Sequence, residues 1–184
     1  ESAHVVGASM GGMIAQAFVI AYPEKTRTFT SIMSTTGDPT VGQASPDALG
    51  SFLGPAPTTR DEAIERGVQL QKVIGSPGYP FDEPHVRERA AAAYDRSFHP
   101  AGMIRQVAAV VTQPDRTQAL HGVRVPTLVI HGADDPLVDS SGGRATADAV
   151  PGATLKIVPG MGHDLPPALN EEVIDSLVEN FSRA

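Results

Sequence analysis

Residues 5–12 read Val-Val-Gly-Ala-Ser-Met-Gly-Gly, a short apolar run that breaks into Gly-x-Ser-x-Gly. Met10, Met13, Ile14, Ala17, Phe18 and Ala21 then recur at helical spacing, and Tyr22-Pro23 ends the pattern. A strand that turns sharply through a serine into a helix exposes that serine's hydroxyl at the top of a parallel sheet. Such a turn needs glycine where the strand and helix approach closely, and the spacing assigns that role to Gly7 and Gly11. In a chain with 18 glycines the pentapeptide by itself is weak evidence, since an ordinary strand-to-helix turn can hold a small residue. Its flanks carry the argument.

Two later segments extend it. Pro126-Thr127-Leu128-Val129-Ile130-His131-Gly132 is an apolar, branched strand followed at once by Ala133-Asp134-Asp135-Pro136. Thr154-Leu155-Lys156-Ile157-Val158 is another strand, leading into Pro159-Gly160-Met161-Gly162-His163-Asp164. One strand therefore ends in a carboxylate, Asp134 or Asp135, and the next ends in His163. A serine hydroxyl is a poor nucleophile near neutral pH and needs a base to take its proton, while the base needs an acid to fix its tautomer. Ser9, an aspartate and His163 supply those three parts, in the order Ser…Asp…His. Ser31 and Ser34 read as strand and loop structure. His4 reads as positional, His131 as support for the acid loop, and His85, His99 and His121 as surface or pocket lining.

The Val-Val-Gly-x-Ser-Met-Gly elbow, the Val-Pro-Thr-Leu-Val-Ile run at 125–130 and the Pro-Gly-Met-Gly-His turn at 159–163 together resemble the α/β-hydrolases. The likeness is greatest to the aclacinomycin methylesterase-like branch of small esterases. It implies an α/β fold with a mainly parallel sheet, helices on both faces and a helical cap insertion. The family sets its acid three residues after the glycine that closes the strand, which selects Asp135 over Asp134. It also implies that the backbone N–H of Met10 is an oxyanion donor, placed at a helix N-terminus where the dipole favours negative charge. In the family the elbow strand is the fifth of eight. The resemblance therefore implies a hydrolase fold without its N-terminal strands, and without the second oxyanion donor that lies on one of their loops.

Organisation along the chain follows. Residues 1–36 read as the elbow strand, its helix and a following strand over Thr28–Met33, 37–122 as the helical cap, and 123–184 as the C-terminal core. Within the cap, Thr59-Arg60-Asp61-Glu62 and Asp82-Glu83-Pro84 are helix starts. Ile104, Val107, Ala108 and Val111 form an apolar stripe before Pro114. Asp139-Ser140-Ser141 caps a helix through Ala149, and Leu169, Val173, Leu177 and Phe181 stripe a C-terminal one. Phe52, Leu53, Tyr79, Phe81 and Phe98 are the candidate pocket residues, equally readable as cap core.

Composition narrows the chemistry. A net charge of -7 argues against nucleic acid, and the absence of cysteine removes disulfides and thiolate metal sites. The longest apolar stretch, residues 13–21, contains Gln16 and is too short to span a bilayer. No spacing suggests a metal site, a phosphate loop or any cofactor. The family's front portion, where a leader would lie, is absent, and the cytoplasm is the expected location. The expected activity is hydrolysis of a carboxylic ester through an acyl-enzyme, the ester being of methyl or another small alcohol on an apolar acid. Lactone, thioester or carbon–carbon hydrolysis and cofactor-free perhydrolysis can run on the same three residues. A third reading is a catalytically incomplete interaction module. The elbow strand is expected to leave an open apolar edge that recruits a second copy or a complementing N-terminal segment.

Overall fold

A computed structural model describes residues 1–52 and 54–184. Its centre is a four-stranded parallel sheet in the order β1 (Ala3–Ala8), β2 (Thr26–Ile32), β3 (Thr127–Gly132), β4 (Thr154–Val158). Registers such as Ala8↔Ile32, Ser31↔Val129 and Gly132↔Val158 align the carboxyl ends of all four strands. Every residue of β3 is buried, as its unbroken apolar run requires of a strand covered on both faces. The last two strands lie where the sequence places them, while the first two each begin two residues earlier, at Ala3 and Thr26, so that His4 falls inside β1.

The α-helices among the described residues are α1 (Met10–Ala21), α2 (Pro46–Phe52), α3 (Arg60–Ile74), α4 (Glu83–Arg96), α5 (Pro100–Val111), α6 (Thr117–Leu120), α7 (Ser141–Ala149) and α8 (Asn170–Ser182), with short 3₁₀ turns at Pro23–Lys25 and Pro167–Leu169. Successive strand side chains point to opposite faces, so the sheet feeds two cores. On one face Phe29 meets Ala15 and Val19 of α1, Leu120 and Val123 around α6, and Ala149 of α7. On the other, Ile32, Leu128 and Ile130 meet Met161, Leu169 and Val173 beside α8. Leu120 of α6 is fully buried in this first core, beside Val123.

The predicted helix starts hold for a local reason. Thr59 Oγ1 accepts from Glu62 N at 3.2 Å and Asp82 Oδ1 from His85 N at 3.0 Å, each satisfying a donor that the first turn leaves without a partner. The insertion's interior is the α3–α4 pair, with Ile64, Val68 and Ile74 buried. By contrast α5 buries none of its residues, and Ile104 and Val111 are 70% and 74% exposed. At the β1 edge Val6 is 43% and, on the adjoining helix, Ile14 is 60% exposed. Among the described residues no helix is long and apolar enough to cross a membrane.

One buried cation sits in the frame. Arg116 donates through Nε to Gln16 Oε1 at 2.9 Å and through Nη2 to Gln113 Oε1 and Thr35 O. Burial lowers its pKa, and the neutral acceptors tie α1, the loop after β2 and the start of α6 together.

Candidate active site

Ser9 follows the last residue of β1 and precedes the first of α1. Its φ of 54° and ψ of -122° lie outside the usual regions for a residue with a side chain. The strained turn is fixed on both sides. Ser9 N donates to Ile32 O at 2.8 Å, extending the ladder by one residue, and Ser9 O accepts from Gly12 N at 2.9 Å. A Cβ on Gly7 would overlap the Gly11 carbonyl, and one on Gly12 would come within 2.6 Å of Ser34 Cβ. A Cβ on Gly11 meets nothing within 4 Å. The positions that exclude a side chain are therefore Gly7 and Gly12 rather than Gly7 and Gly11: the Gly11 backbone closes on Gly7, while the Cβ direction of Gly12, not that of Gly11, faces the loop after β2.

The structure brings Ser9, His163 and Asp135 into one chain of hydrogen bonds. His163 Nε2 lies 2.8 Å from Ser9 Oγ, and His163 Nδ1 lies 2.7 Å from Asp135 Oδ2. Asp135 Oδ1 accepts from Leu137 N and Val138 N, both at 2.9 Å. An ionised carboxylate only accepts, so the imidazole proton sits on Nδ1 and Nε2 is left to accept from the serine hydroxyl. Burial of the Asp135 side chain opposes its ionisation, yet hydrogen bonds from His131 and His163 and from the Val138 amide outweigh this and hold its pKa at about 2. His131 supports the acid loop as expected. Its Nε2 lies 2.8 Å from Val138 O and 3.5 Å from Asp135 Oδ2, inside the core. The two adjacent aspartates separate cleanly. Asp134 faces the other way, with Oδ2 accepting from Gly160 N at 2.8 Å, and closes the turn after β4.

Met10 is the first residue of α1, where a backbone N–H has no acceptor one turn back. It adjoins the Ser9 turn, at the positive end of the helix dipole. His4, at the opposite end of β1, packs on Phe181 with ring centroids 4.5 Å apart and pairs with Thr28 Oγ1 at 3.0 Å.

The candidate pocket residues divide, and the cavity that two of them line has none of Ser9, Met10, Asp135 or His163 among its lining residues. Tyr79 and Phe81 line an open cavity of about 780 Å³ between the α3–α4 connection and the turns after β3 and β4, together with Asp134, Pro136 and Asp164. Phe52 and Phe98 are not among its lining residues, and Phe98 stacks instead on Tyr94 at 4.5 Å. Leu53 lies outside the described residues.

A parallel sheet carrying a serine elbow, an acid loop and a histidine loop at its carboxyl edge is the framework of the α/β-hydrolases. The family model described as "Serine aminopeptidase, S33" matches residues 2–171, and the chain belongs to that family of α/β-hydrolases. Rhodomycin D methylesterase DauP from Streptomyces sp. (strain C5) is 29% identical over 93% of this chain and 64% of its own length. A 2-hydroxy-6-oxononadienedioate/2-hydroxy-6-oxononatrienedioate hydrolase from Paraburkholderia phymatum is 28% identical over 89% of this chain and 56% of its own. Among crystal structures, a variant of the meta-cleavage product hydrolase CumD from Pseudomonas fluorescens IP01 superposes with a TM-score of 0.71. That match has 22% identity and covers 99% of this chain and 65% of the other. The chain thus spans between 56% and 65% of the length of these relatives.

Proposed function

We propose that this chain carries the reacting residues of a serine hydrolase that cleaves a carboxylic ester through an acyl-enzyme. The observation that carries the reading is the unbroken run from Ser9 Oγ to His163 Nε2 and from His163 Nδ1 to Asp135 Oδ2, at 2.8 and 2.7 Å. Ser9 Oγ attacks the ester carbonyl carbon while His163 Nε2 takes its proton, and Asp135 stabilises the imidazolium that results. The carbonyl oxygen becomes an oxyanion facing the Met10 N–H. Collapse of the tetrahedral intermediate breaks the bond to the leaving oxygen, which departs as the alcohol with the proton from His163. Water, deprotonated by the same imidazole, then attacks the acyl-Ser9 carbonyl, and the bond to Ser9 Oγ breaks as His163 returns the proton to it, releasing the carboxylic acid. The rhodomycin methylesterase likeness favours a methyl ester of a bulky apolar acid.

Carbon–carbon hydrolysis is the second reading, favoured by the likeness to the 2-hydroxy-6-oxononadienedioate hydrolases. One experiment addresses both: incubation with a fluorophosphonate followed by intact mass, beside a panel of methyl esters and a vinylogous diketo acid. The expected result is a single adduct that Ser9→Ala removes, with turnover of the esters and not of the diketo acid. An adduct that persists in Ser9→Ala refutes the nucleophile, and cleavage of the diketo acid alone selects the second reading.

A further inference from the structure

The loop that carries His163 is held from outside the hydrolase core, by the far end of α3. A helix leaves its last four carbonyls without intrahelical donors. Here the carbonyl of Ile74, the final residue of α3, accepts from the backbone N–H of His163 itself at 2.7 Å. The turn that follows continues the contact. Ser76 Oγ accepts from Gly162 N at 2.9 Å and donates to Asp164 Oδ1, while Gln71 Nε2 donates to Asp164 Oδ2 at 2.6 Å. Gly78 N donates to Gly160 O at 2.9 Å. The two backbones are close enough that a Cβ on Gly162 would overlap the Gly75 carbonyl, and one on Gly78 would come 2.5 Å from Gly160 Cα. The residues on either side of His163 thus have hydrogen-bonding partners about 90 positions earlier in the chain, on the insertion rather than on the sheet.

We infer that Asp164, gripped by Gln71 and Ser76, is a positioning residue for His163, coupling the insertion to the imidazole. The inference rests on the serine hydrolase reading. A histidine on a glycine-flanked turn has many ring positions, and a base displaced by an ångström can lose on the order of a hundredfold in rate. Two charge-assisted hydrogen bonds to Asp164, one residue beyond the imidazole, remove that freedom. The hydrogen bonds of the three side chains run to one another and to Gly162 N rather than to Ser9 or Asp135, so they act through the backbone of residues 162–164. Gln71, Ser76 and Asp164 also line the 780 Å³ cavity, which places the clamp within reach of whatever occupies it.

The test compares the rate of fluorophosphonate labelling and the downfield Nδ1 proton resonance of His163 in the wild-type chain and in Asp164→Ala, Asp164→Asn and Gln71→Ala. Asp164→Ala is expected to label about tenfold more slowly, with that resonance broadened, while the chain stays folded by circular dichroism. Asp164→Asn keeps an oxygen for the Ser76 hydroxyl, and the Gln71 amide can turn to accept from the new one, so it should label within about twofold of wild type. Gln71→Ala, a change on a half-exposed helix face, removes one arm and is expected to cost about threefold, which keeps the test open should Asp164→Ala not fold. Labelling at wild-type rate in Asp164→Ala or, failing that, in Gln71→Ala overturns the inference, as does an Asn variant as slow as the Ala variant. An unreactive wild type refutes the hydrolase reading instead. The Nδ1 resonance then decides the clamp alone, an unchanged signal in the variants overturning it.

Discussion

Helices α3 and α5 belong to the same insertion and begin from comparable sequence patterns, yet they end in opposite environments. Apolar residues recur at helical spacing in both, as Ile64, Val68 and Ile74 in one and Ile104, Val107 and Val111 in the other. The first set is buried against its neighbours and its helix ends on the His163 loop. The second faces water, with none of its helix buried. Periodicity therefore reports that a helix has an apolar side and is silent on what covers it. What distinguishes α3 is the non-local pairing at its C-terminus, where polar atoms from two distant segments satisfy one another.

The contrast can be broken at several points. The largest effect lies at the residues α3 helps to assemble. Asp135→Asn should lower the labelling rate of Ser9 by about ten-thousandfold, because an amide opposite His163 Nδ1 no longer selects the tautomer that accepts from the serine. Stopped-flow labelling measures it, and a loss under tenfold would argue against Asp135 as the partner of His163. Next comes packing. Val68→Ala, at a fully buried position of α3, is expected to destabilise the chain by about 2 kcal/mol in urea unfolding. A change below about 0.5 kcal/mol would mean that the α3–α4 pair contributes little to global stability.

A pH titration gives an effect of similar size. Asp135 has a folded pKa of about 2, depressed from 3.8, so its contribution is complete above the unfolded value and is lost as pH falls through the folded one. It amounts to about 2 kcal/mol, and unfolding free energies measured from pH 5 down to pH 2 should fall by that much more in wild type than in Asp135→Asn. Equal slopes would refute the depressed pKa. The smallest effect belongs to α5, where Ile104→Ser should stay within about 0.5 kcal/mol in the isolated chain. A loss above 1 kcal/mol would show that the stripe is covered in solution.

Much of the site was legible in the linear chain because its signals are local. Ser9 is announced by the strand, turn and helix around it, and His163 by the turn that ends the last strand. Asp135 required family spacing to separate it from Asp134, and the structure assigns the neighbours by direction, one toward His163 and one toward Gly160. The exchange of Gly11 for Gly12 was not readable, since which of two adjacent glycines meets the loop depends on how the helix is rotated on the sheet. Nor were the grip of Gln71 and Ser76 on Asp164, or the burial of Arg116 among neutral acceptors.

The sequence by itself determined the parallel α/β class, the strand-end positions of Ser9 and His163 and the starts of α3 and α4, because capping and periodicity act within a few residues. Only the tertiary structure decided which apolar faces are covered, that Leu120 is buried against the sheet, and how the His163 loop is held. Those outcomes depend on contacts between segments far apart in the chain, and hydrogen bonds of that kind leave no repeat or spacing for a sequence to display.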